Sequence, residues 1–235
     1  MLAFSSLLGN VEGQNIYRIW YDKPASYWEE ALPVGNGRIA AMVFGDPQLE
    51  QIQLNEETVS AGSPYQNYNE EAKAALPEMR RLIFEGKYEE AQNMAATKIL
   101  SQVGNEMPYQ TVGRLNIRYQ DHKKVSNYYR DLDISNAVAV TRYKVDGVEF
   151  TEETFASFTD QLVIRHIKAS KPGAINCELF FNTPMREPKR SIYGKKGLRL
   201  EGITHGSRYF PGKVHYCADL DVKHKGGKVI TANDT

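Results

Sequence analysis

Residues 28–62 read WEEALPVGNGRIAAMVFGDPQLEQIQLNEETVSAG, and their pattern decides the fold. Gly35-Asn36-Gly37 is a tight-turn signal, because glycine and asparagine reach positive φ at low cost. Residues 39–44 form an apolar run with no polar break, which predicts a short strand buried on both faces. Gly45-Asp46-Pro47 closes that strand with a second turn. Residues 50–54, Glu-Gln-Ile-Gln-Leu, alternate polar and apolar side chains and predict the returning, half-buried strand. Asn55-Glu56-Glu57-Thr58 follow at its end. Asn36, Arg38, Asn55, Glu56 and Thr58 are therefore the candidate site residues, polar groups at the ends of two neighbouring strands. The competing reading is local: Asn55 and Thr58 cap backbone groups and Arg38 pairs with a nearby carboxylate.

Upstream, residues 18–21 predict a first strand, ended by Asp22-Lys23-Pro24. Downstream, the composition changes. From residue 70 to residue 100 β-branched side chains are scarce, and Ala, Glu, Met, Leu and Lys dominate, which favours helix. Leu76, Met79, Arg80, Ile83 and Phe84 share one helical face, Gly86 breaks the run, and Tyr88, Ala91, Gln92, Ala95, Ile99 and Leu100 mark a second helix. The expectation is a helical hairpin around residues 70–100, inserted between strands, with its Met and Tyr packed into a core. From residue 114 onward the spacing predicts strand after strand, over 115–119, 128–133, 137–145, 148–158, 162–169, 175–181, 198–203, 214–222 and 229–231. Asp146-Gly147 is a hairpin turn signal, and residues 184–197 read as a polar loop. The fold class is mainly β, an antiparallel sandwich or barrel.

Composition narrows the function. The 235 residues carry 29 basic and 29 acidic side chains, so no net charge draws the chain to nucleic acid or to an anionic membrane. No stretch reaches the roughly 20 apolar residues of a membrane helix. Cys177 and Cys217 are the two cysteines, too few for a disulfide scaffold or a cysteine-based zinc site, and they read as two buried or half-buried thiols. The five histidines lack the zinc-binding i, i+4 spacing, so no metal and no cofactor is expected. The adjoining carboxylates Glu29-Glu30, Glu56-Glu57 and Glu152-Glu153 point to opposite faces where they lie on strands, so no such pair addresses one bond. Residues 66–68 and 206–210 offer aromatic and amide groups suited to lining a sugar surface. The first 14 residues, MLAFSSLLGNVEGQ, have the look of the back half of an export signal, which places the chain in the periplasm or outside the cell.

WYDKPA (residues 20–25), W-x-x-ALPVGNGR (28–38), AMVFGD (41–46) and QIQLNEETV-x-AGSP (51–64) resemble the opening of glycoside hydrolase family 95, the inverting α-L-fucosidases and their α-L-galactosidase relatives. The resemblance runs from about residue 17 to the last residue. It departs at Ser60, where the family usually has Trp, and at Ala40, where it usually has Gly. It implies a β-sandwich of the super-sandwich type. Residues 1–14 are read as the remnant of an export signal or as a disordered N-terminus, and residues 15–235 as the N-terminal sandwich domain, incomplete at its C-terminal end. The family's acid and its water-activating residues lie in a downstream (α/α)6 barrel, so no residue here is expected to be catalytic. The implied partners are that barrel and, through the whole enzyme, a fucosylated glycan. Asn36, Arg38, Asn55, Glu56 and Thr58 become a loop edge with structural or interdomain roles. Three rival expectations remain: an α-L-galactosidase relative, a stand-alone carbohydrate-binding module with an exposed aromatic platform, and a truncated reading frame.

Overall fold

Alternating apolar positions assemble three antiparallel sheets in the computed structural model, which describes residues 17–232 apart from 63, 65, 102–106 and 208–209. The export-signal expectation for residues 1–14 lies outside the described residues. Before the insertion come β1 (Arg18–Tyr21), β2 (Leu32–Gly35), β3 (Ile39–Val43) and β4 (Leu49–Glu56). The insertion holds α1 (Ala72–Phe84) and α2 (Tyr88–Met94), continued by one π-helical stretch, Ala95–Ile99. After it come β5 (Gly113–Tyr119), β6 (Val125–Asp133), β7 (Val138–Val145), β8 (Val148–Ser157) and β9 (Leu162–Ala169). The chain continues through β10 (Cys177–Asn182), β11 (Arg186–Tyr193), β12 (Gly197–Ile203) and β13 (His215–Asp221).

One sheet has the order β1-β6-β7-β8-β9, the second β10-β5-β4-β3-β2, and the third β11-β12-β13. In the second sheet Ile52 lies opposite Val43 on one side and Leu115 on the other, and Leu115 lies opposite Phe181. This row meets Leu132 and Ala139 of the first sheet and Leu200 of the third in one core. Side chains such as Ile52 and Ile117, each 1% exposed, contribute about 1.5–3 kcal/mol apiece by leaving water. The predicted sandwich is thus observed, and the predicted strand over 162–169 matches β9 end to end. Asp146 and Gly147 both take positive φ, as a two-residue hairpin turn needs.

Several expectations need correction. The strand over 39–44 is not buried on both faces: Ala40 is exposed and Met42 half-buried, because they point away from the opposing sheet. Residues 32–35, which the sequence reading left unassigned, form β2. Residues 184–197 contain β11, an edge strand with every residue exposed and therefore no apolar alternation to reveal it. Pro188 sits within its register shift between Arg186 and Lys189, where a ladder can lose an amide donor. No strand forms over 229–231. Cys177 is half-buried as expected, but Cys217 is exposed, and both are free thiols.

The helical hairpin is present, but its packing differs from the expectation. Gly86, at φ +77°, ends α1, and Asn69 donates to the carbonyls of Thr97 and Leu100 to close the insertion. Its buried side chains are Ala75, Leu82 and Ala91. The supposed core face is instead open, with Phe84 89% and Tyr88 69% exposed. Two short helices that pack on each other hide only one narrow seam, so the remaining apolar positions face outward.

Candidate functional site

The antiparallel topology gathers the β2–β3, β6–β7 and β8–β9 turns, the end of β4 and the root of the insertion at one end of the sandwich. Four of the five candidate residues meet there. Asn36 accepts from the backbone amides of Arg38 (3.1 Å) and Ile39 (2.9 Å), which builds the turn, and donates to the carbonyl of Ser157 (2.8 Å) in the opposing sheet. Arg38 faces Glu56 at 3.4 Å and Gln161 at 3.4 Å. Glu56 accepts from the Thr58 hydroxyl (2.5 Å) and amide (2.8 Å). Asn55 stands apart. It lies opposite Ala40, on the other face of β4 from Glu56, and among the described residues it makes no side-chain hydrogen bond. Of the local reading, the pairing of Arg38 with a carboxylate is observed, whereas the Thr58 hydroxyl bonds the Glu56 carboxylate instead of a backbone group and Asn55 caps nothing among the described residues. Ser60, the departure from the family pattern, bridges to Tyr109 as a single β-pair.

Around these locked polar groups the same end exposes Tyr17, Ile134, Phe158 and Leu162, between 53% and 77%. Asn36 and Arg38 thus fix the β8–β9 turn that carries Phe158.

The sequence reading missed a second polar group, buried between the two large sheets. Arg165 of β9 donates to Glu50 of β4 at 2.7 Å and to Glu152 of β8. Glu152 also accepts from the hydroxyls of Tyr119 (2.7 Å) and Tyr143 (2.5 Å), and Glu50 accepts from the Gly45 amide (2.9 Å). Burial pushes the Glu50 carboxyl up to about 7 against the pull of Arg165. Desolvation lowers the Arg165 pKa, but Glu152 and Glu50 overcome it and raise the guanidinium above its ordinary value. His122 is buried, with Nδ1 2.9 Å from the Pro47 carbonyl oxygen. It stacks on Tyr119 with centroids 4.2 Å apart, and burial lowers its pKa. A signal for this cluster was available: Glu50 shares parity with Ile52 and Leu54, Glu152 with Phe150 and Thr154, and Arg165 with Val163 and Ile167. Each is a charge on the apolar side of its strand.

The chain's adjoining carboxylates do not frame a bond. Glu152 is buried, while Glu153 is half-buried beside His166. Glu30 accepts from the Ser26 amide, and Glu29 is exposed. Glu57 is exposed beside the engaged Glu56. Among the described residues no group of three His, Cys, Asp or Glu side chains has metal-ligand geometry. Of the residues proposed for a sugar surface, Phe210 is buried against Gly62, Tyr68 is exposed, and residues 208 and 209 lie outside the described set.

Fold and site together define a β-sandwich domain with an internally braced polar edge. The chain belongs to the family described as glycosyl hydrolase family 65, N-terminal domain, whose model matches residues 19–235. It is 37% identical over 204 residues to Alpha-L-fucosidase 2 of Arabidopsis thaliana, covering 84% of this chain and 24% of that protein. It is 26% identical to Probable alpha-fucosidase A of Aspergillus niger, covering 65% of this chain and 20% of the relative. The protein of the same description from Aspergillus oryzae is 25% identical, over 84% of this chain and 28% of its own length. The family description carries the number 65 where the motifs resemble family 95, and the fucosidase names of the relatives agree with the motifs. The chain spans about a quarter of the length of these curated relatives.

Proposed function

We propose that this chain is the N-terminal supporting domain of an α-L-fucosidase-like glycoside hydrolase. The whole enzyme removes terminal α-L-fucose from glycans with inversion, and the acids that do so lie in a downstream helical barrel. The relative from Arabidopsis supports the substrate class. The observation that carries the division of labour is the placement of the paired carboxylates. In no pair do both members stand free: Glu30, Glu56 and Glu152 are engaged by hydrogen bonds and Glu153 lies 3.2 Å from His166, whereas glycoside hydrolysis usually sets two carboxyl groups across one bond. Nothing in the described residues favours L-galactose over L-fucose, which differ by the C6 hydroxyl.

The exposed Tyr17, Ile134, Phe158 and Leu162 supply an apolar rim for the barrel, and Asn36 with Arg38 holds the Phe158 turn in place. Export of the enzyme, on the leader-like character of residues 1–14, is part of the same proposal, and cell fractionation checks it. The deciding assay incubates the purified chain with a fucosylated trisaccharide. No fucose release is expected from the chain alone, and activity is expected when the downstream region is added in trans. Release by the chain alone, persisting through repeated purification, overturns the reading.

A further inference from the structure

The loop between β1 and β2 is pinned far more firmly than a connector requires. Arg130 of β6, fully buried, donates through Nε to the Lys23 carbonyl (2.7 Å) and through one terminal nitrogen to the Glu30 carbonyl (2.7 Å). Its guanidinium lies over the Tyr21 ring, 4.1 Å from the centroid. The Ala25 amide donates to the Phe44 carbonyl (2.9 Å), and the Ser26 amide to the Glu30 carboxylate (2.8 Å). Both ends and the middle of the loop are thereby fixed.

This rigid loop forms one wall of a cleft of about 590 Å3, within the range of about 300–1,000 Å3 usual for small-molecule sites. Tyr27 and Trp28 line it and remain 57% and 50% exposed. The facing wall is the outer side of the second sheet, with Asp46, Gln51 and Arg114. Arg114 donates to the Gln51 side-chain carbonyl (2.7 Å) and lies 5.7 Å from the Phe44 ring centroid, so both polar groups are held in place before any ligand arrives. Asp46 uses one carboxylate oxygen to accept the Gln48 and Leu49 amides, which orients the group.

We propose that this cleft is a binding subsite for a pyranose unit of a neutral oligosaccharide. The C–H face of the ring rests on Trp28 or Tyr27, and vicinal hydroxyls bond the amide of Gln51, the carboxylate of Asp46 and the guanidinium of Arg114. Aromatic faces beside planar polar groups suit a molecule that is apolar on one side and hydroxylated at its edge. The site takes a neutral sugar in preference to an anionic one. Asp46 offsets Arg114, which Gln51 already engages, and Lys23 lies 4.0 Å from the Glu30 carboxylate. This role belongs to the chain itself. It stands or falls independently of the fucosidase reading, which fucose release tests.

The test is a heteronuclear correlation titration of the isotope-labelled chain with fucosyllactose as the probe, after circular dichroism shows a cooperatively melting β fold. Trp20 and Trp28 are the two tryptophans, so Trp20→Phe assigns the two indole N–H signals. The Trp28 indole is expected to shift saturably, with a Kd on the order of 1 mM. Trp28→Ala and Gln51→Ala each weaken binding about tenfold or more, and Trp20→Phe leaves it unchanged. An acidic oligosaccharide of equal length binds more weakly. A folded chain whose Trp28 signal does not move, binding that survives Trp28→Ala, or tighter binding of the acidic probe overturns the proposal.

Discussion

Two arginine–carboxylate groups in this molecule use the same chemistry under opposite conditions. Arg165 lies between Glu50 and Glu152 with 7% of its side chain exposed and the two acids at 0% and 2%. Arg38 meets Glu56 at the sandwich end with 49% and 20% exposed. Desolvation strengthens the attraction within the first group, but it also makes each charge costly once its partner is gone. The second group stays wet, and water and salt screen it. The buried group therefore fixes how the two sheets meet. The exposed group only trims the shape of a turn.

The sharpest break in that comparison comes from Arg165→Met. It leaves Glu50 and Glu152 facing each other without a cation, and a loss of about 3–5 kcal/mol is expected in a denaturant melt. Glu50 then allows a test by pH. Its folded pKa is raised to about 7, above the unfolded value, so its contribution is fully present below the usual carboxylate range and is lost as pH rises toward and through 7. Stability measured from pH 4.5 to pH 7 is expected to fall by an amount on the order of 3 kcal/mol from this group. Glu50→Gln removes that slope, and a slope that persists in the variant assigns it elsewhere.

Smaller effects belong to the exposed end. Asn36→Ala removes the two amide bonds of the turn and the link to Ser157, with an expected cost of about 1–2 kcal/mol in thermal unfolding. A double-mutant cycle on Arg38 and Glu56 is expected to give a coupling below about 1 kcal/mol that fades with added salt. A coupling as large as that of the buried group would erase the difference between the two groups.

Much of the fold was legible because apolar alternation and turn residues act locally. Residues 162–169 and the Asp146-Gly147 turn show it: each carries its own signal. The edge strand β11 was not legible, since REPKRSIY has no buried face and packing, not pattern, makes it a strand. The hairpin gave the reverse error. Leu76, Ile83 and Phe84 have helical spacing, yet periodicity tells which side chains share a face and not whether another element covers it. At the site, proximity in sequence brought Asn36, Arg38, Glu56 and Thr58 together correctly, and strand parity separated Asn55 from them. The buried charges were visible as parity violations. Their partnership was not, because 115 residues separate Glu50 from Arg165.

That partnership also sets a cost on strands that pair out of register. A strand that slips by two residues keeps its apolar side chains indoors, so the hydrophobic effect alone hardly notices the error. Such a slip of β9 carries the Arg165 guanidinium about 6.6 Å along the strand, away from the point where Glu50 reaches across from the other sheet. A misaligned pairing then holds an orphaned charge in its interior, at a cost of several kcal/mol. Only the alignment in which β4, β8 and β9 agree brings Arg165 to both acids.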